Sequence, residues 1–403
     1  MLVRDPVWGD IELPHWCQEL LDTEEMQRLR HVRQLGFAYL VYPGAQHSRF
    51  EHSLGTAHMA QAILAAVGRS EDEWAEAVVA AALLHDVAHA PFGHTFEDER
   101  PLFPRHDTPQ RLGEALSGEL GRRLEALPCG GRARLLLQGG NDVPNWAQDI
   151  VAGPLDADLL DYLRRDAYFT GVRHQYDERV LHTLALLDGR LGVRLARHGR
   201  ARPDARSEIL QLFRMRYVLT ERVYLHHTKI AAGAMLARAV ETAAQQGLRV
   251  EEIARMGDDA LLGLLGSGAF GPDAACLAQA IGRRRLHKRA LVLGRRELGP
   301  EGLAALAERL RPELRHAEAE IAAQAGLRAC DVTLSCPPQP EFREMRVPTE
   351  LPEGICPLDA PPGGDLEVAV LRERYRDLWQ IAVFARADVA ELAARAAQAV
   401  FRL

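Results

Sequence analysis

Paired cysteines are missing from this 403-residue sequence. Its six cysteines, Cys17, Cys129, Cys276, Cys330, Cys336 and Cys356, are scattered, with no C-x-x-C pair and no zinc-finger spacing to a histidine. Free thiols in a reducing compartment are therefore expected, not a disulfide framework. Long apolar runs are missing as well: no stretch approaches the roughly 20 residues that span a bilayer. The N-terminal MLVRDPVWGDIELP is polar and interrupted by Pro6 and Pro14, unlike a signal peptide. A cytoplasmic protein with no membrane partner is the expectation. Basic excess is absent too, because 49 Lys and Arg face 56 Asp and Glu, for a formal charge of −7. Nucleic-acid binding through overall charge is disfavoured, and any phosphate must be held by a local pocket.

What is present favours helix. The chain is 47% hydrophobic and 26% charged but only 6% aromatic, with many Leu, Ala, Arg and Glu residues, so a mainly α fold is expected. The length exceeds what one core usually supports. A helical domain over 1–285 and a small C-terminal α+β lobe over 286–403 are expected. Thr23 reads as the N-cap of a helix running to Gly36, and helical periodicity recurs over 49–67, 71–84, 107–127, 146–169 and 207–246. Asp188-Gly189, between alternating apolar residues, predicts a small hairpin near 181–196. The segment 130–145 reads as a loop. In the lobe HKRALVL, DVTLSC, FREMRV, LEVAVL and LWQIAVF read as short β-prone runs, closed by a helix over 388–401. The basic run RRRLHKR, 283–289, reads as a solvated face.

Titratable residues crowd into one stretch, LLHDVAHAPFGHTFE, 83–97. His85-Asp86 ends an apolar helical run, and His52 and Asp158 lie on two other predicted helices. Imidazole nitrogen and carboxylate oxygen from three helices would suit a divalent ion such as Mn, Fe, Zn or Co, with positions left for water and a substrate oxygen. His94 and Glu97, three residues apart, form an acid–base pair if the turn is helical.

The H…HD…D pattern resembles the HD-domain phosphohydrolases. QLGFAYLVYPGAQHSRFEHSLG, LLHDVAHAPFGHTFE and LDADLLDYLRRDAYFTGV are similar to the corresponding segments of their deoxynucleoside triphosphate triphosphohydrolase branch. That branch contains the dGTPase-like enzymes and the sterile-alpha-motif and HD-domain proteins. The likeness spans roughly 34–229, and the lobe matches faintly, through YRDLWQIAVF.

The resemblance implies one divalent ion (Mn, Fe, Mg, Zn, Co or Ni) on His52, His85, Asp86 and Asp158. It also implies catalytic His89, His94, Glu97 and His106 facing the scissile phosphate. Substrate contacts implied by it are Gln34 and Leu35 at the sugar, Arg49 at the α-phosphate, Tyr162 and Asp166 beneath the deoxyribose, Arg216 at the outer phosphates and Tyr224 at base or sugar. The expected reaction converts a dNTP to deoxynucleoside and tripolyphosphate. Assembly as a dimer or tetramer, with a nucleotide activator, is also implied. Two residues depart from the branch: Leu159 replaces a phosphate-binding lysine, and Thr220 a histidine. The missing lysine keeps open an HD-type phosphatase or phosphodiesterase acting on another nucleotide; a separate alternative is a non-catalytic nucleotide- or nucleic-acid-binding regulator with RRRLHKR as a contact surface.

Overall fold

The computed structural model describes residues 1–402. The helices that frame the main domain include α1 (Arg49–Ala66), α2 (Ala75–Leu84), α3 (Asn145–Ala152), α4 (Ala157–Thr170), α5 (Pro203–Leu219) and α6 (His227–Ala244). The fold is mainly α, as composition leads one to expect. Helix α1 opens with a capping box, in which Ser48 and Glu51 satisfy each other's backbone N–H. Most of its residues are buried, and α2, AEAVVAAALL, is buried on every side. Helices apolar all round belong in a core and not on a surface. Among the described helices none is long and apolar enough to cross a membrane.

Several expected helices break where the backbone has a reason to turn. The 146–169 run splits into α3 and α4 because Gly153 precedes Pro154, which disfavours helical geometry, and Asp156 then caps α4 by accepting from Leu159 N at 2.8 Å. The 23–36 helix ends at Arg28. Beyond it the chain extends, so that Gln34 N donates to His47 O and Val32 O accepts from Arg49 N, tying this segment to the start of α1. The 107–127 helix divides into Pro109–Ala115 and Glu119–Ala126. The 207–246 helix is interrupted by a π-turn at Thr220–Tyr224. The expected loop over 130–145 instead holds a helix, Gly130–Gln138, whose Ala133, Leu136 and Leu137 are buried at helical spacing.

The strands of four or more residues are β1 (Leu2–Asp5), β2 (Gly9–Glu12), β3 (Leu184–Leu187), β4 (Arg190–Arg194), β5 (Lys288–Gly294), β6 (Val332–Ser335), β7 (Pro348–Leu351), β8 (Gly354–Pro357) and β9 (Gln380–Ala385). The β3–β4 hairpin turns on Asp188 and Gly189, both at positive φ, as a two-residue primed turn requires. The lobe's core sheet has the order β5-β9-β6, all antiparallel. Helices α7 (Arg295–Leu310), α8 (Leu314–Ala325) and α10 (Ala390–Phe401) pack on it with their own apolar core.

The remaining lobe sequence returns to the helical domain. β7 joins β4 in parallel, and Phe342, Met345, Val347, Val368, Leu371 and Tyr375 pack in the main core. LEVAVL, expected as a strand, is the start of helix α9 (Leu366–Arg376), capped by Asp365. Its buried residues Val368, Leu371 and Tyr375 repeat at three and four, a period that a six-residue window hides. In the basic run Arg283, Arg284 and Arg285 are exposed, whereas Leu286 and His287 are buried.

Candidate active site

Three helices meet at His52 on α1, His85 at the C-terminal end of α2, and Asp158 on the first turn of α4. One nitrogen or oxygen from each lies within 4.8 Å of the others. His52 Nε2 is 2.8 Å from Asp158 Oδ1, and His85 Nε2 is 3.6 Å from the same oxygen. Asp86 is adjacent, with Oδ1 3.4 Å from His85 Nε2 and Oδ2 3.8 Å from His52 Nε2.

Both imidazoles are oriented from behind. His52 Nδ1 bonds Asp161 Oδ2 at 2.7 Å, and His85 Nδ1 donates to the Ala82 carbonyl at 2.8 Å. That leaves His85 Nε2 aimed at the carboxylates, buried and without a hydrogen-bond partner. An orphaned imidazole nitrogen facing two carboxylates, with its other nitrogen tied down, is the arrangement of a metal ligand. The residues fit a divalent cation, with an N/O donor set open to any of the six ions named above. Burial would depress His52, but bonds to Asp158 and Asp161 raise its pKa to about 10.

A second group adjoins the first across Asp86. After α2 the chain turns through Phe92 and Gly93, both at positive φ. A Cβ on Gly93 would meet Arg49 Nη2 at 2.7 Å, so the glycine lets the guanidinium pass. The turn brings His94 back to His89, with ring centroids 4.8 Å apart, while His106 stacks on His89 at 3.5 Å. Glu97 Oε2 lies 3.1 Å from both His94 Nδ1 and His106 Nδ1. His89 Nε2 is 3.0 Å from Asp86 Oδ1, and Arg49 donates to Asp86 Oδ2 at 2.5 Å.

Burial would raise the Glu97 carboxyl, yet the bonds from His106 and His94 carry it well below the usual range. Burial, together with the charges of Arg49 and His106, holds His89 well below its ordinary pKa and therefore neutral. His89 and Glu97 are enclosed, whereas the His94 side chain is 47% exposed. The ligand atoms of His89, His94, Glu97 and His106 also lie within 4.8 Å of one another, so this group too has the donors to take up a cation.

The expected substrate residues line the next turns of α4 and the end of α5. Asp166 is gripped by His47 Nε2 at 2.8 Å and by the Tyr224 hydroxyl at 2.7 Å. Tyr162 packs edge-on to Tyr224, ring centroids 6.3 Å apart, and the Arg216 guanidinium stands 5.4 Å from both rings. Arg216 Nε donates to Glu344 at 3.0 Å. Gln34 sits beside His47 through its backbone and leaves Oε1 buried without a partner. Leu35 is buried in the core. Leu159 is also buried, and Thr220 bonds back to the Arg216 carbonyl. Arg165, on the same helix as Leu159, is enclosed between Asp5 and Asp161 and is turned into the core.

Reading the sequence missed His47, Asp161 and Glu344. Asp161 follows Asp158 by three residues on α4, a spacing that could have flagged it. Nothing in the sequence marks Glu344, which lies 128 residues from the arginine it binds.

A helical scaffold that sets a His/Asp cation cluster beside a histidine–glutamate group defines a metal-type hydrolase of the HD class. The HD domain family profile matches residues 49–128, and that of the HD associated region matches 211–403. An uncharacterized protein of Methanocaldococcus jannaschii is 29% identical over 395 residues, 95% of this chain and 79% of that one. The deoxynucleoside triphosphate triphosphohydrolase SAMHD1 of Danio rerio is 27% identical over 266 residues, 55% of this chain but only 42% of that one. A phosphohydrolase from Bacteroides thetaiotaomicron shares the fold, with a TM-score of 0.72 at 23% identity, covering 96% of this chain and all of the other. The chain thus carries an HD domain over 49–128 and the HD associated region over 211–403, and it is similar to HD-domain phosphohydrolases, the deoxynucleoside triphosphate triphosphohydrolase SAMHD1 among them.

Proposed function

We propose that the protein hydrolyses deoxynucleoside triphosphates at the α-phosphate, with water attacking phosphorus and the bond to O5′ breaking, to give deoxynucleoside and tripolyphosphate. The observation that carries this reading is the junction at Asp86, where a cation cluster, a histidine–glutamate group and Arg49 converge on one carboxylate. A divalent ion held by His52, His85, Asp86 and Asp158 would polarise a phosphoryl oxygen and acidify the attacking water.

The remaining chemistry belongs to the chain's own residues. Arg49 offers a guanidinium fork to the α-phosphate. His94, the exposed member of its group, protonates O5′ as the alkoxide departs, and Glu97 keeps that imidazole oriented. His106 shares the same carboxylate oxygen, and neutral His89 stacks on the His106 ring with its Nε2 turned to Asp86. Asp166, held by His47 and Tyr224, meets the 3′-hydroxyl, and Tyr162 closes the space where a ribose 2′-hydroxyl would sit. Gln34 has an unpaired oxygen for the sugar, with Leu35 behind it. Arg216, steadied by Glu344, faces the outer phosphates beside Tyr224. Assembly as a dimer or tetramer and activation by a nucleotide are further parts of this reading, measured by light scattering with and without added nucleotide.

Buried, uncharged Leu159 favours one second reading, a phosphatase or phosphodiesterase acting on a nucleotide with fewer phosphates. Ion-pairing chromatography separates the two: each dNTP is incubated with Mn, Mg or Co, beside the Asp158→Ala variant. Deoxynucleoside with tripolyphosphate, lost in the variant, supports triphosphohydrolysis. Intact dNTPs under every condition would exclude it.

A further inference from the structure

The histidine–glutamate group stands on a turn that reaches across the molecule. Its π-turn, Thr95–Glu99, ends at Arg100 in extended backbone, and Arg100 is 2% exposed. A guanidinium that deep requires charged partners. One is Glu241 of α6, which accepts from Nη1 at 2.6 Å. The other is Glu318 of α8, fully buried in the C-terminal lobe and bonded to Nη2. Glu318 Oε1 also accepts from Leu334 N of β6 at 2.7 Å, and its Oε2 lies 3.5 Å from Arg238 of α6. Arg238 in turn reaches Glu241 at 3.2 Å. Two arginines and two glutamates, all but the half-buried Glu241 enclosed, thus form a tetrad that joins the turn to α6 and to the lobe sheet.

The turn has an apolar anchor in Phe96, packed against Phe103, but an aromatic contact tolerates sliding where a forked ion pair does not. Arg100 follows Glu97 by three positions, so the tetrad sets where Glu97, and through it His94 and His106, come to rest.

We propose that Glu318 is a positioning residue for the His94–Glu97–His106 group, acting through Arg100, so that the docked C-terminal lobe completes the acid–base half of the site. The inference rests on the function proposed above for that group. It gives a physical role to a lobe whose sequence likeness to the branch is faint: the lobe supplies no ligand but holds the turn that carries the proton donor.

Glu318→Gln keeps the shape and an acceptor for Leu334 N while removing the charge. The expected result is a roughly 10- to 100-fold lower kcat with KM and bound metal per chain unchanged. Amide hydrogen exchange over 94–106 should become faster. Arg100→Lys, which keeps a charge but loses the fork, should give the same pattern and serves if Glu318→Gln does not fold. Arg206→Ala breaks a different contact between the domain and the lobe, with Asp365 and Glu367, and should change neither kcat nor exchange over 94–106. Unchanged exchange in both tetrad variants, or equal effects from Arg206→Ala, would overturn the proposal. Exchange and metal content are read without turnover, so an inactive wild type would count against the function and leave this test standing.

Discussion

His52 is held through both ring nitrogens, and the two holds serve different ends. Asp158 lies on the cation side, whereas Asp161 orients the ring from behind and itself takes two bonds from Arg165 and one from Trp8. Asp161→Asn should weaken Mn binding by about 10- to 100-fold in a calorimetric titration, because the carboxylate that fixes the ring is lost. An unaltered affinity would remove Asp161 from the ligand frame. In the proposed sugar site, Tyr162→Ala should raise turnover of ribonucleoside triphosphates relative to dNTPs, measured as a ratio of kcat/KM values. No change in that ratio would free Tyr162 from the role of excluding the 2′-hydroxyl. At this scale the H…HD…D residues were legible because their types and order are distinctive. Asp158 was singled out with them, whereas nothing marked Asp161 as the partner of the His52 imidazole until α4 is laid against α1.

Between elements, the site depends on how closely α1 and α4 approach. Gly55 makes the approach possible: a Cβ there would meet Asp161 Oδ1 at 1.9 Å and Arg165 Nη2 at 2.4 Å. Neither group is free to withdraw, since both are buried in one network with Asp5. Gly55→Ala should therefore cost about 1–3 kcal/mol in denaturant unfolding and also weaken metal binding by displacing Asp161. An alanine gain from helix propensity, without loss of metal, would contradict this packing.

Periodicity marked α1 and α2 within a few residues, because strongly apolar helices announce themselves. It failed where a break depends on a partner. The 23–36 run had to extend to bond the start of α1, and LEVAVL became helical because its apolar residues pack on the main core. Such tertiary choices leave little trace in a short window.

Over the whole molecule, the domain and the lobe are joined by buried polar groups as well as by apolar contact. His287 lies just before β5, donates its backbone N–H to Met235 Sδ of α6, and bonds Thr333 of β6 at 3.1 Å. Burial lowers its pKa from 6.5 to about 4. The unfolded chain therefore binds the proton more readily than the folded one between those values, and stability falls as pH falls through this window. The contribution is present above pH 6.5, and about 3 kcal/mol of it is lost by pH 4. His287→Gln, which cannot titrate, should show a shallower decline of the unfolding midpoint between pH 6.5 and 4. An identical slope in both proteins would place the acid sensitivity elsewhere. A sequence reading could expect a separate lobe after 285, but not that residues 342–375 would return to the helical core or that a lobe glutamate would reach Arg100. Those contacts join residues more than a hundred positions apart, and only the packed chain brings them together.

The position of bond cleavage tests the central claim most directly. A dNTP hydrolysed in ¹⁸O-labelled water with Mn should yield unlabelled deoxynucleoside and tripolyphosphate carrying one ¹⁸O on a terminal phosphorus, read by mass spectrometry. Label in orthophosphate or pyrophosphate, or a labelled nucleoside hydroxyl, would contradict attack at the α-phosphate and with it the assignment of His94 as the donor to O5′.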